Sequence, residues 1–566
     1  MPTQVNFSTQ LRNKPVTYSA AFIFPSQACP ENLSPSLRTI TLAPVPPGIN
    51  ATNTNHYLAI FNNSGTFQEV VLINGGSAVA GAASGTLTFT SITGTYATGS
   101  YKIASATSGI QEAIWSSTAT NTVVIPPNTS APYTWPTYAT ITSGSTIKVS
   151  LVGMGSDCSQ ISPQFASGDA IYMEAGAGND WIRTCKGIGI VPGVTRTSGS
   201  EFHLKAFRFG NVQDLYVLGG RIAFTFVDFI STLCDGLRSQ SQTFRGIELL
   251  VSAGVVAGAE IANVNINVLS TANTAMLVQA VASGSFAGWV ASNIALQGGV
   301  YNLYVDPNGG VINELVFTGL GCDSATGRSV TLLPSSGSGT LYSFTNLLLE
   351  PAVGGEQLYI GAGISTVKFS NVSGTKNGNV AGVTVDGASD VSLDNFSAYG
   401  GGNAGASDAG LVVGPGVVTG LRVSNSKFGD AVLGKPKIGL SINAAAHTGI
   451  EIANTDFNGA VSAISDLGLN PTIYSGWIGG LSDSIPTVAD AATVTFPRMI
   501  QGGTVEVTGS GTAVTAVAGL YKGQSGFIQT ASAITFTAGA TIGTTVTTGA
   551  NALTPFWFDG TKIWLR

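Results

Sequence analysis

Residues 211–220 read NVQDLYVLGG, an alternation of apolar and polar positions that stops on a glycine pair. The same kind of segment returns as STLCDGLRSQ from Ser231, IANVNINVLS from Ile261, ASNIALQGG from Ala291, VINELVFTGLG from Val311 and YSFTNLLLEP from Tyr342. It continues as ISTVKFSNVSG from Ile364, ASDVSLDNFSAYG from Ala388, VVTGLRVSNSKFG from Val417 and HTGIEIANTDFNG from His447. Anchored on Leu215, Leu237, Val264, Ile294, Leu315, Phe344, Val367, Val391, Leu421 and Ile450, the pattern recurs roughly every 26 residues. The intervals vary too much for a rigid repeat but suit one coil per repeat, with loops of unequal length between short strands. Such a coil buries its apolar side only against its neighbours, so the expected fold is all-β, a parallel β-solenoid.

Composition agrees. The chain has 566 residues, of which only 10% are charged, against about 25% in ordinary soluble proteins. Solubility therefore rests on Ser, Thr, Asn and Gly. The 73 glycines follow no G-x-y period, which excludes collagen. The long uncharged stretch 261–305 is interrupted by Asn263, Asn265, Asn273, Gln279, Asn293 and Gln297, so it offers no apolar span of about 20 residues and membrane insertion is not expected. The formal charge of −6, from 24 basic and 30 acidic residues without a basic cluster, argues against nucleic acid as a partner.

The opening MPTQVNFSTQLRNK lacks an apolar core and a cleavage site of the secretory type, so the chain is expected to be made in a host cytoplasm. Cys29, Cys158, Cys185, Cys234 and Cys322 are odd in number and widely spread, and read as buried free thiols rather than a disulfide framework.

Residues 1–35 read as an arm that orders only against a partner, and 36–107 as an N-terminal β-module for attachment. Residues 108–482 form the expected parallel β-helix shaft. At its foot SGIQEAIWSS, residues 108–117, is a short helix with Ser108 as cap, placed to cover the edge of the first coil. Residues 483–566 alternate over seven or so short segments and end on the aromatic FWF and IWL pieces. They read as a C-terminal β-sandwich that closes the stack and aids oligomerisation.

Two passages carry a family resemblance: GIQEAIWSSTATNTVVIPPNT with STIKVSLVGMGSDCSQI, and the ending from ADAATVTFPRMIQGG to FWFDGTKIWLR. The first resembles the helix, strand and Gly-rich turn that begin many pectate-lyase-like right-handed β-helices of bacteriophage tail-spike and tail-fibre proteins. The second is similar to β-rich C-terminal modules of phage appendages. By architecture the resemblance spans residues 100 to 566. It implies a homotrimeric virion tail appendage that attaches to other phage tail or virion proteins through its N-terminal region and binds or degrades cell-surface polysaccharide. A non-enzymatic structural tail, baseplate or decoration protein is the alternative, with a cell-surface adhesin third.

Glycoside hydrolysis needs two carboxylates about 5 to 9.5 Å apart, and neighbouring parallel strands lie about 4.8 Å apart, so acids at matching offsets on successive coils can meet that need. Asp228 in RIAFTFVDF and Glu248 in FRGIELL fall at similar offsets and form the first candidate catalytic pair; Asp214 and Asp235 form the second. Hydrolysis fits these acids better than lyase chemistry, for which Lys186, Arg196, Lys205, Arg208 and Arg221 are sparse candidates. His56, His203 and His447 are too scattered for a metal site, and no cofactor is expected. Trp181, Tyr216, Trp289 and Tyr304 are the aromatics expected to stack on sugar rings, although aromatics also carry core burial.

Overall fold

The structure is a computed structural model. It describes residues 31–566 apart from 54, 117–121, 128–134, 145–148, 176–182, 253, 282, 353, 376–379, 400–408, 430–437, 458–461, 471, 480–486, 497–501, 510 and 521. The arm expected over 1–35 therefore lies almost wholly outside the described residues, as does Cys29. The chain divides into two compact units between Met276 and Leu277. Both contain stacked parallel coils, as the segment pattern requires.

In the first unit, strands 39–42, 57–62, 67–76, 85–89 and 101–105 form a five-stranded antiparallel sheet over a core that includes Leu58, Ile60, Leu87, Phe89 and Tyr101. The helix Ile110–Ser116 follows. Its cap is Thr107, whose Oγ1 accepts from the Gln111 amide at 2.9 Å; Ser108 instead takes a positive φ and donates to the Pro136 carbonyl. Gln111 then acts as a strand substitute. Its side chain donates to the Thr142 carbonyl at 2.9 Å and accepts from the Thr142 amide at 2.7 Å. Strand Ile141–Ser143 is the end strand of its sheet, so the helix supplies partners to an edge that would otherwise present bare backbone groups. Glu112, buried, holds the helix to the antiparallel sheet through His56 at 2.9 Å and Ser105 at 2.6 Å.

The coils behind the helix contribute one strand to each of two parallel sheets. The first includes Thr184–Ile190, Asn211–Leu218, Leu233–Gln242 and Glu260–Val268; the second includes Ile171–Glu174, Phe202–Lys205, Ile222–Val227 and Arg245–Val251. Leu215 pairs with Leu237 and Phe202 with Phe224, so identical positions stack and each coil lines the core for the next. Phe202 over Phe224, at 5.7 Å between ring centroids, and Phe207 over Phe229, at 5.3 Å, continue that stacking inside.

The second unit repeats the scheme, with Trp289–Gln297, Leu315–Asp323, Ser338–Glu350, Ile364–Thr375 and Ser389–Tyr399 in one sheet and Tyr301–Asp306, Arg328–Leu332, Glu356–Ile360 and Val383–Val385 in the other. Phe317, Phe344 and Phe369 stack at 5.2 and 4.6 Å. The register corrects two anchors of the sequence reading. Ile294 faces Leu320 rather than Leu315, and Tyr342, not Phe344, faces Val367.

Each long strand turns a corner at a residue with positive φ. Asp214, Gly236 and Asn263 occupy this column in the first unit; Asn293, Gly319, Asn346, Asn371 and Asn395 do so in the second. Asn and Asp tolerate this left-handed conformation better than other side chains, which is why Asn recurs immediately before an apolar residue in the repeated segments, as in Asn263-Val264, Asn293-Ile294 and Asn371-Val372.

The last described strands surround a separate core that includes Val505, Val507, Ile528, Phe536, Phe556 and Ile563. Thr487–Ala489, Thr504–Thr508 and Ser525–Thr530 still pair in parallel, while Leu553–Phe558 and Ile563–Leu565 turn antiparallel. The module thus begins in the manner of the coils and closes with a hairpin. Among the described cysteines all are free; Cys185, Cys234 and Cys322 are buried, whereas Cys158 is exposed, against expectation. Among the described residues no helix is long and apolar enough to cross a membrane.

Candidate functional site

The acid pair Asp228 and Glu248 is not brought together. Thr225 pairs with Glu248 and Val227 with Leu250, which leaves Asp228 three positions beyond Glu248, about 10 Å along the strand direction. Each acid is already engaged. Asp228 turns the chain with a positive φ and accepts from the amide and hydroxyl of Ser252 at 2.8 and 2.5 Å. Glu248 is 6% exposed, accepts from Thr225 Oγ1 at 2.9 Å and pairs with Arg245. It belongs to a polar seam on the outer side of the second sheet, where Ser200 bonds Thr225 at 2.6 Å and His203 bonds Asp169 at 2.9 Å.

Asp214 and Asp235 lie one position out of register, because Asp235 faces Gln213 and Asp214 faces Gly236. Asp235 accepts from the Asn263 side chain at 2.8 Å. Asp214 has a richer setting. Its Oδ1 accepts from Ser156 Oγ at 2.7 Å and its Oδ2 from the Ser156 amide at 3.1 Å. Arg238 Nη2 lies 3.5 Å from Asp214 Oδ1, 3.3 Å from Asp157 Oδ2 and 2.8 Å from Ser156 Oγ. One guanidinium nitrogen therefore bridges two exposed carboxylates. The two oxygens are closer than the sum of those two arms, and so under the ceiling of about 9.5 Å for an acid pair. Arg238 also pairs in register with Tyr216 and sits 5.4 Å over its ring.

Glycine makes this meeting possible. The turn after strand Ser150–Gly153 lies down on the sheet, where a Cβ on Gly189 would fall 2.2 Å from the Ser156 carbonyl oxygen. With no side chain at 189, Ser156 reaches Asp214 across 58 residues of sequence. Exposed Asp157, Asp214 and Arg238, with half-buried Tyr216 beside them, offer acceptors, a planar donor and an aromatic ring, the groups that hold a polyhydroxylated ring. Arg238 occupies the space between the two carboxylates, so acid–base work by that pair would require the guanidinium to swing away.

Of the aromatics named from sequence, Tyr216 is on this face. Trp181 lies outside the described residues. Trp289 is corrected to a core residue, 3% exposed and edge-on to Phe286 at 5.2 Å, because its strand position points inward. Tyr304 is half-buried on the second sheet of the second unit, tilted against Tyr301 at 5.2 Å, and burial raises its hydroxyl pKa. Asp157 and Arg238 were not singled out in the sequence. Arg238 was findable, since it occupies in LCDGLRSQ the place of Tyr216 in NVQDLYVL. Asp157 was not, because the turn that carries it sits outside the repeated strand. Among the described residues no group of His, Cys, Asp and Glu is arranged to hold a metal ion.

No family model matches the chain, and no curated protein matches it. Among solved structures, it is similar to the catalytic domain of a GH87 alpha-1,3-glucanase in complex with nigerose, at 11% identity over 80% of this chain and 91% of that one, TM-score 0.34. It is also similar to tailspike protein 3 of bacteriophage CBA120, at 11% identity over 67% and 61%, TM-score 0.38. PfbA, a surface adhesin of Streptococcus pneumoniae, aligns at 9% identity over 62% and 86%, TM-score 0.35. At such scores these likenesses decide nothing about the site, and its chemistry has to be argued from its own residues.

Proposed function

We propose that the protein is a homotrimeric, phage tail-spike-like virion appendage that binds host-surface polysaccharide on the first sheet of its first unit, and attaches to other tail or virion proteins through its N-terminal region. The observation that supports saccharide binding is the exposed Asp157, Arg238 and Asp214 set beside Tyr216. Carboxylates accept from sugar hydroxyls, the guanidinium donates to ring and hydroxyl oxygens, and the phenol covers an apolar ring face. The resemblance of residues 109–161 and 489–566 to phage appendages supports the virion setting.

A panel of extracted bacterial capsular polysaccharides and lipopolysaccharides, immobilised and probed with the full chain, tests the binding reading. At least one member is expected to bind, and Arg238→Ala and Tyr216→Ala each to weaken it by tenfold or more while the unfolding temperature stays put. Unchanged binding by both variants would refute this site. The proximity of Asp157 and Asp214 favours a second reading, glycoside hydrolysis rather than elimination, with released oligosaccharides that disappear in Asp214→Asn. A non-enzymatic tail, baseplate or decoration component would neither bind nor release anything.

A further inference from the structure

The C-terminal module carries a pair of exposed tryptophans, remote in sequence from the coil site. Strand Leu553–Phe558 alternates exposed Leu553, Pro555 and Trp557 with buried Thr554 and Phe556. Trp557 pairs in register with Trp564 on strand Ile563–Leu565, and directly opposed residues of an antiparallel pair project from the same face. Trp557 is 50% and Trp564 37% exposed. Both line a cleft of about 570 Å³ together with Thr544, Pro555, Phe556, Leu565 and Arg566. That volume is within the range of about 300 to 1,000 Å³ typical of small-ligand pockets.

Trp564 is held with unusual care for a surface residue. Its indole Nε1 donates to Asp559 Oδ2 at 2.8 Å, while Asp559 Oδ1 accepts from the Thr561 and Lys562 amides at 2.8 and 2.7 Å. The turn thus fixes the indole nitrogen. The ring also packs closely on Gly543, where an added Cβ would fall 2.6 Å from ring carbon Cε3. Substituting any side chain at 543 would displace the indole. A surface tryptophan left to minimise its exposure has no need of a fixed nitrogen and a glycine beneath it; one that must present a face in a set plane has need of both.

We propose that this cleft is a second saccharide-binding site, in which a pyranose ring lays its C–H face on Trp564 and Trp557 and turns its hydroxyls toward Arg566 and Thr544. The tryptophans supply apolar area with little rotamer entropy to lose, and the arginine and threonine at the rim supply the hydrogen bonds that a purely apolar contact lacks. A protein partner would need an apolar projection to fill the cleft, whereas a sugar ring matches its mixture of indole faces and polar rim without one.

Saturation-transfer difference NMR on the full chain tests this, with the methyl pyranosides of glucose, galactose, mannose, rhamnose and N-acetylglucosamine as probes. At least one is expected to receive saturation on the protons of one ring face, with a shift in tryptophan fluorescence. The signal is expected to fall at least fivefold in Trp557→Ala/Trp564→Ala and in Gly543→Val, and to persist in Tyr216→Ala, which separates this cleft from the coil site. Rescue by Trp564→Phe, which keeps an aromatic face, would support the stacking role. No saturation of any probe, or a signal indifferent to the double substitution, would overturn the proposal. So would a double variant that changes the oligomeric mass and leaves sugar binding intact, since the face would then be a contact between copies.

Discussion

Glu201, immediately before strand Phe202–Lys205, illustrates how one side chain can set the response of the coils to pH. It is wholly buried and lies 3.1 Å from Arg196. Burial pushes its carboxyl up to about 7, only partly offset by the Arg196 guanidinium. An acid whose folded value exceeds its unfolded one binds its proton more tightly when folded. It therefore stabilises fully below the ordinary carboxylate range, and that stability is lost as pH rises from about 4.5 to about 7. Denaturant midpoints of the protein are expected to decline across this window, at up to about 1.4 kcal/mol per pH unit from this group alone. Glu201→Gln should flatten the decline; an unaltered slope would show that Glu201 is not its source. The candidate site residues differ in how far the sequence placed them. Asp214 and Tyr216, singled out from the sequence, sit on the repeated strand, one at its corner and one in register with Arg238. Glu248 does not meet Asp228, because the residue in register with it is Thr225, three positions earlier.

Among the elements, the corner column decides whether a coil closes at the right place. Asn371, at φ 56°, donates to Asn346 Oδ1 at 3.2 Å and accepts from Asn395 Nδ2 at 2.8 Å, so three successive corners share a ladder of amides. Asn371→Gly removes the ladder bonds but keeps the conformation, at a cost of about 1 kcal/mol. Asn371→Val removes the bonds and places a β-branched residue in a left-handed conformation, with a further penalty of about 1 to 3 kcal/mol. Urea unfolding is expected to rank the wild type above Asn371→Gly and that variant above Asn371→Val. Equal stability of the two variants would mean that the corner is not conformationally constrained. The short helix follows a related logic, since Gln111 imitates the missing strand neighbour of Thr142 with both its amide atoms. Its capping position was readable from the sequence, but the residue that caps it, Thr107 in place of Ser108, depends on the turn that precedes it.

For the whole molecule, the proposed trimer predicts a particle of three times the 57.6 kDa chain mass by mass photometry. With only 10% of residues charged, association is expected to be insensitive to salt between 50 and 500 mM, because few ion pairs are available to screen. A monomer at micromolar concentration, or dissociation on adding salt, would reject this assembly. The sequence by itself determined the all-β solenoid, because a recurring alternation of apolar residues between turns buries its apolar side only when successive coils stack. It also indicated the helix at the foot of the coils and the aromatic C-terminal module. Only the tertiary structure decided which side chains meet. Loops of unequal length move each coil by several residues, so register is fixed by backbone pairing and by glycines such as Gly189 that admit a neighbouring turn. That is why Asp214 finds Ser156, Asp157 and Arg238 rather than the acid that spacing alone had set beside it.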